Sequence, residues 1–168
     1  SKCSGARLLE ELYKLMRGGA SRMSFELMLE SWLLQTIMPA YNRLFGPDGL
    51  LPRSETPDPT SPSELLYRYL DSLDRYVGQT DENVTNGVLQ AVLFAPLLRQ
   101  DMETASRRQL DRRIDDLMTP VVTDIGVARR DRELAKQILM ASGHMIAHGG
   151  AETGGRRRRA SLVERQYF

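Results

Sequence analysis

An all-α fold, an irregular helical bundle of about six to seven helices, is the architecture this sequence predicts. Apolar residues return at three-and-four spacing in one segment after another, which is the signature of helices buried on one face. Clusters of Gly, Pro and small polar residues punctuate those segments. No stretch alternates at the two-residue period of a strand well enough to compete. With 168 residues, 41% of them hydrophobic, the chain is long enough to bury a real core as one domain or two small ones.

The first element is a helical hairpin over residues 6–44. Leu8, Leu9, Leu12, Leu15 and Met16 form its first stripe, with Glu10 and Glu11 early and Lys14 and Arg17 late, as the helix dipole favours. Glu10 and Lys14 stand at i,i+4 in the favourable orientation. Gly18-Gly19 ends the helix, because glycine accepts the left-handed conformation of a C-terminal cap. Phe25, Met28, Leu29, Trp32 and Leu33 make the second stripe, and Tyr41, Leu44 and Phe45 extend it to Gly46. The following stretch, GPDGLLPRSETPDPTSP, reads as a loop, since proline fixes φ and removes a donor. Ser61-Pro62-Ser63-Glu64 is a helix start with a capping box, followed by the stripe Leu66, Tyr69, Leu70, Leu73 and Val77 and a stop at Gly78.

The next helix, residues 84–98, is apolar nearly all round in its later part and belongs at the centre of the bundle, with Pro96 expected to kink it or end it early. Residues 107–118, RRQLDRRIDDLM, point Leu110, Ile114 and Leu117 inward. Arg107 with Asp111, and Arg112 with Asp116, are spaced as i,i+4 pairs of a self-neutralised surface. Pro120 and Gly126 bracket a short break or a kinked continuation. Residues 131–146 form a last helix with Leu134, Ile138, Ala141 and Met145 aligned, and Gly149-Gly150 and Gly154-Gly155 read as a flexible connection.

Composition narrows the chemistry. No apolar run is long enough to span a membrane, and no signal peptide is evident. Cys3 is the one cysteine, so there is no intrachain disulfide framework and a cytoplasmic setting fits. Net charge is +1, but the last fourteen residues carry five Arg against one Glu. The run Arg156, Arg157, Arg158 and Arg159 is suited to clamp phosphates, since each guanidinium is permanently charged and forked. Catalytic constellations are missing: Asp71 and Asp74 are spaced along a helix, and Asp115 and Asp116 diverge by about 100° on one. Two metals find no site there. His144 and His148 share a helical face but have no third ligand and no Glu after the first His, so no metal site is assigned. Gly18-Gly19-Ala20-Ser21 leads into a helix whose free N–H groups could meet a phosphate, but a plain interhelical turn is the favoured reading.

The order of residues adds a resemblance. Ala6-Arg7-Leu8-Leu9-Glu10-Glu11-Leu12-Tyr13-Lys14-Leu15-Met16 is similar to the neck motif of bacterial poly(A) polymerases and the related CCA-adding tRNA nucleotidyltransferases: Glu-Arg-aliphatic, then Glu, then paired apolar residues. Arg7 and Glu11 fall on the charged positions, and Ala6 replaces the first Glu, a departure that looks closer to the poly(A)-adding branch. Leu33-Leu34-Gln35-Thr36-Ile37-Met38-Pro39 resembles the end of the second neck helix. Residues 125–131 resemble the link into the last body helix, and the Arg run followed by Glu164-Arg165-Gln166-Tyr167-Phe168 resembles the family's arginine-rich region.

The resemblance, with the Pro- and Gly-rich loop as boundary, divides the chain into four parts: a helical neck hairpin over 1–46, a linker loop over 47–60, a helical body over 61–148 and a Gly/Arg-rich segment over 149–168. It implies RNA as partner, with Lys14, Arg17, Arg22 and Arg156 to Arg159 as contacts. Arg7 and Glu11 would brace an upstream catalytic head. The parent would be a template-independent nucleotidyltransferase adding AMP to RNA 3′ ends with Mg²⁺ and ATP bound in that head. This chain looks like an excised C-terminal region with no catalytic residue of its own. The rival from another class is a helical protein-interaction module that docks a partner on an apolar Trp32–Tyr41 surface. The rival within the superfamily is the matching region of a CCA-adding enzyme.

Overall fold

The computed structural model describes residues 5–51 and 55–163, with side chains described through His148. It is all-helical among the described residues, with eight helices: α1 (Gly5–Arg17), α2 (Ser21–Glu30), α3 (Leu33–Ile37), α4 (Pro39–Arg43), α5 (Pro62–Gln79), α6 (Asn86–Thr104), α7 (Arg107–Ile125) and α8 (Arg129–Val163).

The count exceeds the expected six to seven because the stretch after Gly19 breaks twice. At the first break the Ser31 hydroxyl donates to the Leu27 carbonyl at 2.7 Å and Trp32 turns left-handed at φ 59°. Pro39 makes the second break by disfavouring helix at Met38, which sits at φ −133°, ψ 56°. Trp32 and Leu33 therefore leave the expected buried stripe, and Trp32 is 73% exposed. Conversely, neither proline of the later helices ends one: α6 runs through Pro96, and α7 continues through Pro120 to Ile125. Pro96 is itself buried in the core, where tertiary packing outweighs the lost backbone bond. α7 stops at Gly126, in the left-handed conformation at φ 70°. The backbone of α8 also passes Gly149-Gly150 and Gly154-Gly155, where a flexible connection was expected. Glycine weakens a helix without forbidding its geometry.

α6 is the central helix, as its apolar circumference requires, and it packs against α1, α5, α7 and α8. One continuous hydrophobic cluster runs from Leu9 in α1 to Leu139 in α8, so hairpin and body share a core. Tyr41 is buried in it, donating its hydroxyl to the Leu93 carbonyl at 2.9 Å and meeting Phe45 and Phe94 edge-on. The line of α8 that faces the core is Ala135, Leu139 and Gly143, one residue round from the predicted line, leaving Ala141 and Met145 exposed.

Burial acts on three tyrosines. It pushes the Tyr13 and Tyr67 hydroxyls up to about 12 and Tyr41 well above the usual tyrosine range. Unfolded tyrosine loses its proton near pH 10. Between about pH 10 and pH 12 the unfolded chain therefore binds fewer protons than the folded one, and stability falls as pH rises through that window. The expected loss is on the order of 2 kcal/mol for each of Tyr13 and Tyr67 as an upper figure. Thermal unfolding followed by circular dichroism from pH 9 to 12 checks it, and Tyr67→Phe should flatten the decline.

Candidate nucleic-acid interface

The hairpin of α1 and α2 turns at Gly19, whose φ of +74° needs no side chain to be accommodated. Its cations divide into those tied inward and those left outside. Arg17 donates from Nε to the Val84 carbonyl at 2.8 Å, reaches Asn86 Oδ1 with Nη2, and lies 5.7 Å from the centroid of the Tyr13 ring. Asn86 in turn donates to Asp131 at 2.9 Å. Arg17 thus links α1, the entry to α6 and the start of α8.

Arg22 pairs with Glu26 at 2.9 Å and with Asp71 of α5 at 2.7 Å. The Glu26 hydrogen bond, reinforced by Asp71, holds its guanidinium still more firmly charged. Next to this pair, Asp74 of α5 accepts the Ser21 N–H at 2.8 Å and the Arg22 N–H at 3.1 Å. Ala20, at the N-cap position of α2, has no side chain to do this, so α5 supplies the cap. Asp74→Ala should cost about 1–2 kcal/mol, because it orphans two N–H groups at once. Urea unfolding measures the loss, and Asp74→Asn should recover part of it.

Lys14 remains at the surface, bonded to Glu11 at 2.7 Å with both side chains 67% exposed. It takes Glu11, three residues back, in place of the expected Glu10. Arg7 and Glu11 are exposed one turn apart on α1, and Arg7 has no ion pair among the described residues. The predicted set is therefore not one cluster: Lys14, Arg7 and Glu11 share the outside of α1, while Arg17 and Arg22 are spent on internal partners. The side chains of Arg156, Arg157, Arg158 and Arg159, and Cys3, lie outside the described residues.

Two further features escaped the sequence. Two acids of α7, Asp111 and Asp115, bond to α8 and not to their own helix. Lys136 of α8 takes Asp111 at 3.0 Å and Asp115 at 2.7 Å, and Arg132 takes Asp115 at 3.4 Å. Arg107, Arg108 and Arg112 are left exposed without ion pairs among the described residues. Spacing along one helix showed i,i+4 neutralisation and had no means of showing a partner helix. The second feature corrects the apolar surface. Tyr41 is buried, so the exposed apolar group is Met23, Leu27, Trp32 and Leu33.

Asp71 and Asp74 are held by Arg22 and the α2 backbone. His148 donates from Nδ1 to the His144 carbonyl at 2.9 Å. No group of three potential ligands exists among the described residues. Nor is any helix there long and apolar enough to cross a membrane.

Fold and site together define a helical module that presents cations on a hairpin braced by its own body. Residues 1–45, which hold α1 to α4, match the family model described as "Probable RNA and SrmB- binding site of polymerase A". The hairpin is thereby similar to a poly(A) polymerase-related RNA-binding region, and RNA is the partner that the match supports. No curated protein and no solved structure matches the chain.

Proposed function

We propose that this chain holds RNA for a template-independent nucleotidyltransferase of the poly(A) polymerase type, one that adds AMP to RNA 3′ ends. The observation that carries the reading is the family match over residues 1–45, which coincides with the α1–α4 unit. Arg17, Arg22 and Asp74 support it by fixing that unit on the body. A rigid mount lets exposed cations meet phosphates without first being ordered. Lys14 and Arg156 to Arg159 are the contacts proposed for RNA, and Arg7 with Glu11 the residues that brace a catalytic head elsewhere in the parent.

ATP and Mg²⁺ belong to that head. The described carboxylates form no set that fits them, so the chain alone should transfer no nucleotide. The lone Cys3 suits a cytoplasmic protein. The same resemblance supports a CCA-adding parent as the alternative, and a catalytic assay of the parent with ATP against CTP separates the two.

The test is fluorescence anisotropy of labelled single-stranded RNA with the full chain, between about 20 and 300 mM salt. Log affinity should fall linearly with log salt, because each neutralised phosphate releases counterions. No binding at the lowest salt would sink the proposal. A second reading rests on the exposed group Met23, Leu27, Trp32 and Leu33, which is suited to dock a protein partner. In that case Trp32→Ala abolishes capture of the partner and leaves RNA affinity unchanged.

A further inference from the structure

Where α7 and α8 cross the end of α6, they enclose an open groove of about 920 Å³. Its floor is apolar, built from Leu110, Met140, Ala141 and Ala147. Gly143 makes the crossing close: a Cβ there would stand 2.5 Å from Leu110 Cδ2. The groove has two unlike ends, because α7 and α8 run antiparallel along it. The Leu110–Gly143 contact sets Arg107 and Arg108 toward His144 and His148. The Lys136–Asp111 pair, at 3.0 Å, marks the other end, near Glu133 and Gln137.

Charge differs between the ends in the same way. Lys136 is neutralised by Asp111 and Asp115. Arg107 and Arg108 have no carboxylate within salt-bridge distance among the described residues, and both are exposed. The N-terminus of α7 is closed by its own capping box, Ser106 with Gln109, so the anion-seeking groups are the guanidinium forks. The two imidazoles beside them lie 4.0 Å apart at 41°. The His148 Nδ1–H is committed to the His144 carbonyl at 2.9 Å, which holds that ring beside the groove.

A pair of imidazoles, an apolar floor and two uncompensated arginines at one end fit a planar base linked to a phosphate. We infer that this groove is a nucleotide seat for single-stranded RNA: one base lies on the floor against the histidine pair, and its phosphate is held by Arg107 and Arg108. Glu133 and Gln137 offer an acceptor and a donor to the base edge, and Glu133 keeps phosphate away from that end. In sequence, His148 precedes Arg156 by eight residues. The inference rests on the RNA reading and adds a base-binding site outside the hairpin and the Arg run.

Two oligomers test it by anisotropy with the full chain at low salt: hexaadenylate and an abasic ribose-phosphate chain of equal length. Ala141→Trp and Ala147→Trp each fill the groove from an exposed position. Either should weaken hexaadenylate by about tenfold, the worth of one stacked base, and leave the abasic chain within about twofold. Arg107→Gln with Arg108→Gln should weaken both oligomers. The imidazole proton signals of His144 and His148 should shift on titration with hexaadenylate in the wild type and stay still in Ala141→Trp. Circular dichroism melting shows which variants remain folded. If the wild type binds hexaadenylate but both tryptophan variants bind it equally well, or weaken both oligomers alike, the groove seats no base and this inference falls alone. If the wild type binds neither oligomer, the RNA reading falls and takes the groove with it.

Discussion

Replacing Arg156, Arg157, Arg158 and Arg159 together by Gln should lower affinity for single-stranded RNA by roughly two to three orders of magnitude near 0.1 M salt. Each arginine that neutralises a phosphate contributes about 0.7 to the slope of log affinity against log salt on a single strand. Four of them account for a slope change of about 3, and that slope is the quantity to measure. A loss of affinity at unchanged slope would mean that the segment acts through folding and not through phosphate contact. Sequence preference should hardly change, since guanidinium-to-phosphate contacts carry no base information. Lys14→Gln, beside its Glu11 partner, should move the slope by less than one such increment.

The largest effect on stability should come from Gly87→Val. Gly87 lies in the first turn of α6, and a Cβ there would stand 2.6 Å from Leu134 Cγ and 2.7 Å from Leu134 Cβ. Turning the end of the leucine cannot relieve a clash with its own Cβ, so α8 must shift away from α6. That shift would also disturb the Asn86–Asp131 bond and through it the Arg17 tie to the hairpin. Overpacking of this kind costs about 1–3 kcal/mol, and valine, which adds two methyl groups beyond the Cβ, should reach about 3. Gly87→Ala should cost less, because better helix propensity returns up to about 1 kcal/mol. Gly78→Ala provides the opposite sign. It sits in α5 with nothing within 4 Å of the added Cβ, and should stabilise by up to about 1 kcal/mol. Urea unfolding of the three variants, read through midpoint and slope, decides the order.

The two glycines look alike in sequence, each a small residue at one end of a helix. Gly78 reads as a stop, and α5 ends one residue later at Gln79. Nothing in the sequence marked Gly87 as a site of close helix contact. The same limit applies to the charges. The favoured pairing of Lys14 with Glu10, and of Arg107 with Asp111, follows from spacing on one helix. The structure sends Lys14 to Glu11 and Asp111 to Lys136. The first is a local choice between neighbours. The second requires a helix 25 residues further along, which no periodicity within residues 107–118 can reveal.

By itself the sequence determined the helical class, the turn at Gly18-Gly19, the helix start at Ser61, the central place of α6 and the resemblance of the hairpin to an RNA-handling neck. These are legible because apolar period, capping and glycine or proline punctuation act over a few residues. Only the tertiary structure decided which cations are committed. Arg17 and Arg22 became ties between hairpin and body, while Arg107 and Arg108 were left uncompensated beside a groove. That division depends on the distances between helices, and charge neutralisation across a fold is set by whichever carboxylate the packing brings within reach.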